Sequence, residues 1–124
     1  LGYFKIEKKL NYNSLLKSCD IATSSVVINK NILNKNFFFS NFTTKEDYCL
    51  WLKIAKKEEK LYGINNNLLF WRSLNNSLSD SFFQKLFDAF KVYRISEKYS
   101  IIISIYFVIR LSLFALIKKL DMYR

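Results

Sequence analysis

The chain has no proline, no histidine, two glycines and two cysteines in 124 residues. Each shortage excludes something. Without histidine there is no Ser/His/Asp set, and a zinc site would have to rely mostly on carboxylates. Cys19 and Cys49 are far apart and form no CxxC, so buried, reduced thiols of a cytoplasmic protein are expected. The usual turn punctuation is nearly missing. Asparagine stands at the candidate turns instead: Asn29, Asn31, Asn34, Asn36, Asn65 to Asn67, Asn75 and Asn76. It tolerates left-handed backbone better than other residues with a Cβ, so it is expected to serve there. There is no Gly-rich phosphate loop, no Asp-x-Asp and no signal-peptide pattern. Leu1 in place of an initiator Met is read as the mark of a fragment.

What is present is apolar and basic. The chain is 51% hydrophobic and 18% aromatic, enough for one packed domain or part of one. Its net charge is +10, which suits nucleic acid, anionic lipid or phosphorylated substrates. The lysines are spread out, with doublets at Lys8-Lys9, Lys56-Lys57 and Lys118-Lys119. Most read as solvated faces. No aromatic motif of the nucleic-acid-binding kind accompanies them, so no nucleic-acid partner is expected.

Along the chain, Asn13 to Lys17 reads as a short helix. Ile21 to Ile28 is rich in β-branched residues and reads as a strand. Phe37 to Phe39 reads as a strand end or a plug on the core. A helix is expected from about Lys45 to Glu59. Thr44 would be its N-cap, with Asp47 three residues on as a capping box requires. Tyr48, Trp51, Leu52 and Ala55 recur on one face at helical spacing. Leu61 to Arg72 reads as two short strands around an Asn-rich kink. A second amphipathic helix is expected over about Ser81 to Arg94, with Phe83, Leu86, Phe87 and Phe90 on its apolar face. Ile101 to Ile117 is apolar nearly all round. It is somewhat shorter than the about 20 residues a span needs and carries Arg110 in its middle. Basic residues flank it, which favours a helix lying in a membrane surface over a span. A buried, partner-packed helix is the plainer alternative.

Three places hold chemistry-bearing residues. Glu46 and Asp47 begin a helix, where the macrodipole favours a charged carboxylate. One of them suits a general base taking a proton from an acceptor hydroxyl, and equally a plain helix cap. Trp71-Arg72 could clamp a phosphate or be a surface Arg stacked on aromatics. Thr23 and Ser24 could line a sugar site or be strand filler.

The ordered set matters more than its parts. Ile21 to Ile28, with Thr-Ser-Ser-Val inside it, is followed by Glu46-Asp-Tyr-Cys-Leu-Trp-Leu-Lys-Ile-Ala-Lys-Lys57. Then come Leu68-Leu-Phe-Trp-Arg72 and Asn76-Ser-Leu-Ser79. This series resembles the C-terminal half of a bacterial family 2 glycosyltransferase of the surface-polysaccharide type. That family carries a TSSV strand, an EDYDLWLRLAKKG helix and an L-x-YR-x-x-x-NSLS loop in the same order. Cys49 replaces the usual Asp, Lys53 the frequent Arg, and Trp71 the usual Tyr. The resemblance covers roughly residues 13–80.

The resemblance implies an α/β fold, a partial GT-A fold made of its acceptor-side strands and helices. Amphipathic and hydrophobic helices would follow, residues 1–80 being the catalytic part and 81–124 a membrane-associated tail. It implies inverting transfer from a nucleotide-sugar donor to a glycan or lipid-linked acceptor at the inner face of the cell membrane. Asp47 would be the base and Glu46 its motif partner. Thr23, Ser24 and Trp51 would lie at the substrate. Arg72, Asn76 and Ser77 would close near the donor phosphates or the acceptor. A divalent Mg or Mn is expected in the full-length enzyme, with its ligands outside this chain. The nucleotide-binding half is absent, so the isolated chain is expected to be inactive and to expose a sheet edge. A non-catalytic, basic, membrane-associated interaction protein is the rival reading.

Overall fold

The computed structural model describes residues 8–32, 39–57, 61–66, 68–70 and 81–122. Strand β1 (Lys9–Leu10) leads directly into helix α1 (Tyr12–Lys17). Asn11 caps α1 reciprocally: its Oδ1 accepts from the Ser14 amide at 2.9 Å, and Ser14 Oγ accepts from the Asn11 amide at 2.8 Å. Two orphan amides are thereby satisfied, which lets so short a helix hold. Helix α2 (Glu46–Lys56) follows, then strand β2 (Leu61–Tyr62). β2 pairs antiparallel with β1, Lys9 opposite Tyr62 and Leu10 opposite Leu61. Helix α3 (Phe82–Lys91) runs into a single π turn at Val92–Ser96, and helix α4 (Ile101–Met122) ends the described chain. The described residues are thus mixed α/β but mostly helical, with one two-stranded ladder.

The core centres on α2. Tyr48 to Leu52, Ile54 and Ala55 are all buried, which is more than one stripe. Helix α1 covers α2 with Leu15 and Leu16, and Ala89, Val92, Tyr93 and Leu111 close the other side. The periodicity of Tyr48, Trp51, Leu52 and Ala55 therefore marks core packing, at about 1.5–3 kcal/mol for each large apolar side chain buried.

Two tyrosines tie these layers together. Tyr48 Oη donates to the Leu15 carbonyl at 2.7 Å, and Tyr93 Oη reaches the Leu16 carbonyl at 3.3 Å. The two hydroxyls lie 2.8 Å apart, in edge-to-face ring packing. These carbonyls belong to the end of α1, where the helix supplies no intrahelical donor. Burial holds both phenols neutral; it pushes Tyr93 up to about 12 and Tyr48 further up. Tyr48→Phe should leave the buried Leu15 carbonyl without that donor and cost about 1–3 kcal/mol in urea unfolding. A loss within 0.3 kcal/mol would mean that water or a shifted Tyr93 takes over the carbonyl.

Several expectations change. Ile21 to Ile28 is not a strand. Thr23–Ser25 forms a 3₁₀ turn in which the Ser25 amide and hydroxyl both reach the Ala22 carbonyl, at 2.9 and 2.8 Å. β-Branched residues favour a half-buried pleated surface. Here Val27 is 99% exposed and no described strand pairs with the segment, so the hydroxyl turn prevails. Thr44 is not the cap of α2 either. The N-cap is Lys45, left-handed at φ 67°, with no side-chain cap bond. Thr44 is drawn to α3 instead: its amide and Oγ1 donate to Asp88 Oδ2 at 2.8 and 2.9 Å. Among the described residues the non-glycine left-handed positions are Lys45 and Lys98, not asparagines. The described asparagines act through side chains, as at Asn11 and as at Asn29, whose Oδ1 accepts from the Asn31 amide.

Helix α3 turns its phenylalanines outward. Phe83 and Phe87 are exposed, Leu86 and Phe90 half-buried, while Asp88 and Ala89 face the core. Leu61–Tyr62 is the strand portion of 61–72 within the described residues; 68–70 is irregular, and Trp71 to Asp80 lies outside them. Of Phe37 to Phe39, Phe39 alone is described, and it is exposed.

Helix α4 is longer than the apolar run implied. Its 22 residues span about 33 Å at 1.5 Å each. By length and composition, Ile101–Leu120 is long and apolar enough to cross a membrane. One face packs inward: Ser104 and Leu111 are buried, and Phe107 stacks on Tyr93 with ring centroids 5.2 Å apart. The other face exposes Ile102, Ile105, Ile109, Leu113, Leu116 and Leu120.

Candidate functional site

The N-terminal end of α2 carries Glu46 and Asp47, both half-buried. Helix geometry fixes the Asp47 backbone, and Thr44 anchors the chain just before it on Asp88. Asp47 Oδ1 accepts from the Tyr48 amide at 2.6 Å. Its Oδ2 accepts from Thr23 Oγ1, also at 2.6 Å. Residues 24 positions apart thus meet, and both oxygens of one carboxylate are oriented. Such a carboxylate keeps lone pairs for a further hydroxyl, so it can accept a proton as well as a hydrogen bond.

The surroundings are mixed in charge. Burial pushes the Cys19 thiol up to about 11, with Lys45 pulling it down and Asp47 pushing it further up. These three groups therefore lie within electrostatic reach of one another. The raised thiol is a poor nucleophile, since the thiolate is the reactive form.

Ser24 lies exposed on the same 3₁₀ turn as Thr23. Trp51, expected at the substrate, is 3% exposed and belongs to the core one turn below Asp47. Its Nε1 has no hydrogen-bond partner among the described residues. Arg72, Asn76 and Ser77 lie outside the described residues. The structure thus joins Asp47 to Thr23, with Glu46 and Ser24 adjacent in sequence.

Sequence reasoning missed Asp88, the buried carboxylate that gathers Thr44, Gln84 and Lys91. The lone acid in the stretch Phe82 to Phe90 was the available signal. It also missed Glu97, which accepts from Tyr12 Oη at 2.5 Å and Lys56 Nζ at 2.9 Å. No group of three or more His, Cys, Asp or Glu among the described residues could hold a metal ion. The described residues therefore offer no ligand cluster for a resident divalent metal.

No protein-family profile matches the chain, and no solved structure matches it significantly. Curated relatives do. Over 88 residues, 69% of the chain, it is 36% identical to UDP-Glc:alpha-D-GlcNAc-diphosphoundecaprenol beta-1,3-glucosyltransferase WfgD of Escherichia coli. To the like-named WfaP of the same organism it is 35% identical over 68% of its length. To the putative teichuronic acid biosynthesis glycosyltransferase TuaG of Bacillus subtilis it is 30% identical over 73%. The chain spans about a third of each relative, 34%, 33% and 36% respectively. These matches do not favour the non-catalytic reading. Over about 70% of its length the chain is homologous to bacterial surface-polysaccharide glycosyltransferases, and by that match it belongs to their family.

Proposed function

We propose that the chain is the acceptor-side part of an inverting glycosyltransferase of GT-A type. It would move a sugar from a nucleotide-sugar donor to a lipid-linked glycan at the cytoplasmic membrane face. The observation that carries this reading is the Thr23–Asp47 contact. It places the only carboxylate bonded to the TSSV segment among the described residues at an oriented, half-buried helix end. In the proposed step the acceptor hydroxyl oxygen attacks the anomeric carbon and its proton passes to Asp47. The nucleoside diphosphate leaves from the opposite face with the electron pair of the broken bond, so configuration inverts. Thr23 holds the carboxylate's rotamer, and Glu46 sits beside it as its motif partner. Arg72, Asn76 and Ser77 retain their assignment near the donor phosphates or acceptor. Trp51 supports the helix end from the core.

The test is transfer by the full-length protein in membranes. A panel of labelled nucleoside-diphosphate sugars is offered with a polyprenyl-diphosphate-linked sugar. Label entering the lipid-soluble product is expected with one donor; none from any donor would overturn the reading.

The tail fits a membrane surface better than a span. Helix α4 packs one face on Tyr93 and α1 and presents an apolar stripe on the other, as a helix lying in the interface does. Ile109 and Leu113 sit on that stripe at 55% and 54% exposure, so acidic substitutions there spare the core. The Ile109→Asp, Leu113→Asp pair should reduce flotation with anionic vesicles by more than about tenfold, given the apolar area withdrawn from lipid. A parent protein that floats with neither anionic nor neutral vesicles would remove the surface assignment.

A further inference from the structure

A second feature adjoins Asp47. Lys45, Lys118 and Lys119 line a cavity of about 230 Å³ with Ser18, Cys19 and the flank of α4 at Leu111. This is below the roughly 300–1,000 Å³ of pockets that engulf a drug-sized molecule, and suits a compact anionic group. The nearby acids are accounted for. Asp20 accepts from Ser18 Oγ at 2.5 Å and pairs with Lys118; Asp47 is engaged by Thr23 and the Tyr48 amide. No carboxylate among the described residues pairs with Lys45 or Lys119. Lys45 Nζ lies over the Tyr48 ring, 5.8 Å from its centroid, so among the described residues neither of these two cavity-lining lysines has its charge matched by a carboxylate. Lys45 stands there at φ 67°, a conformation that costs a residue with a Cβ about 1–2 kcal/mol. Strain of this kind persists only where the surroundings over-determine it, and it clusters at ligand clamps. The cavity lies against the inward-facing side of α4 near its C-terminal end, at Leu111, Ala115, Lys118 and Lys119.

We propose that this pocket binds the diphosphate of a lipid-borne acceptor, with Lys45 and Lys119 as its main charge contacts. The inference rests on the transferase reading for the role of the ligand, though not for its binding. The diphosphate would be held by Lys45, two residues from Asp47, so the sugar attached to it comes to the base. Lysine suits the task as a point charge for phosphate oxygens.

The same anion could come from lipid or from solution, and two arms separate them. One measures binding of the full-length protein to phosphatidylcholine vesicles with and without about 2% polyprenyl diphosphate. The other titrates inorganic pyrophosphate. Lys45→Gly with Lys119→Gln removes both charges, and glycine accepts the left-handed backbone without penalty. Lys30→Gln with Lys53→Gln is the charge-matched control, with circular dichroism confirming the fold of each. The pocket pair should lose at least tenfold of the diphosphate-dependent vesicle binding, and the control pair less than twofold. A tenfold loss seen with pyrophosphate as well extends the site to the free anion; one confined to vesicles assigns it to the lipid. Equal losses in the two pairs, or none in the pocket pair, would overturn the proposal. Because no sugar transfer is read, failure here and failure of the transferase reading are separate results.

Discussion

Asp47→Asn in the full-length protein should lower sugar transfer by at least a hundredfold while leaving unfolding and donor binding nearly unchanged. The amide keeps the shape of the carboxylate. It can still accept from Thr23 Oγ1 or from the Tyr48 amide, the two contacts that orient Asp47. What it cannot do is take a proton. General base catalysis contributes about 10²–10⁴ in rate, so the loss should fall in kcat. Thr23→Val is the companion. It removes the 2.6 Å contact but not the base, so its loss should be much smaller. If Asp47→Asn turns over at the parent rate, Asp47 only begins a helix and the acceptor is deprotonated elsewhere. If Thr23→Val is as damaging as Asp47→Asn, the hydroxyl itself contacts substrate.

Much of this arrangement was legible in sequence, for identifiable reasons. Helices α2 and α3 announced themselves through apolar spacing and α4 through a long apolar run, and α2 begins within a residue of where the Thr-Lys-Glu-Asp stretch placed it. The meeting of Thr23 with Asp47 was not visible in spacing. The resemblance gave both residues a part at the substrate but named no contact between them, because a contact across 24 positions belongs to tertiary structure that no local rule contains. The misread elements share one cause. Residues 21–28 have strand propensity, but propensity measures fit to a pleated, half-buried surface, and the described chain offers them none. Thr44 has the right chemistry and spacing for a cap, yet a buried acid forty-four residues away outcompetes the helix amides for it. Lys45 takes a left-handed backbone that its side chain disfavours, because the anchored Thr44 before it and the buried helix after it leave no other path. In α3 the apolar face was correctly drawn, but the face turned to the core is the one that carries Asp88.

Asp88 should therefore be the most costly polar residue to change. Its side chain is fully buried, and burial by itself would push the carboxyl up. Bonds from Gln84, from the Thr44 amide and hydroxyl, and from Lys91 outweigh that, and the carboxyl sits below its ordinary value of 3.8. Asp88→Asn keeps the volume but turns an NH₂ group towards a set made entirely of donors. At neutral pH the loss should be about 3 kcal/mol in urea unfolding, as when one partner of a buried charged network is removed. The pH dependence has a definite sign. A carboxyl depressed in the folded state contributes its full stability above the unfolded value near 3.8, and loses it as pH falls through the lower folded value. The parent protein should thus approach the variant in stability under acid, and the gap should reopen above about pH 4. A gap below 0.5 kcal/mol at neutral pH, or one that does not narrow in acid, would mean that the network does not depend on the charge. The functional consequence follows from the same bonds. Thr44 holds Asp88 and immediately precedes Lys45, Glu46 and Asp47. Releasing it frees the end of α2, so Asp88→Asn should also lower transfer at temperatures where the protein remains folded. Thr44→Val should reproduce part of that loss, because it removes one of the two Thr44 donors and keeps the other.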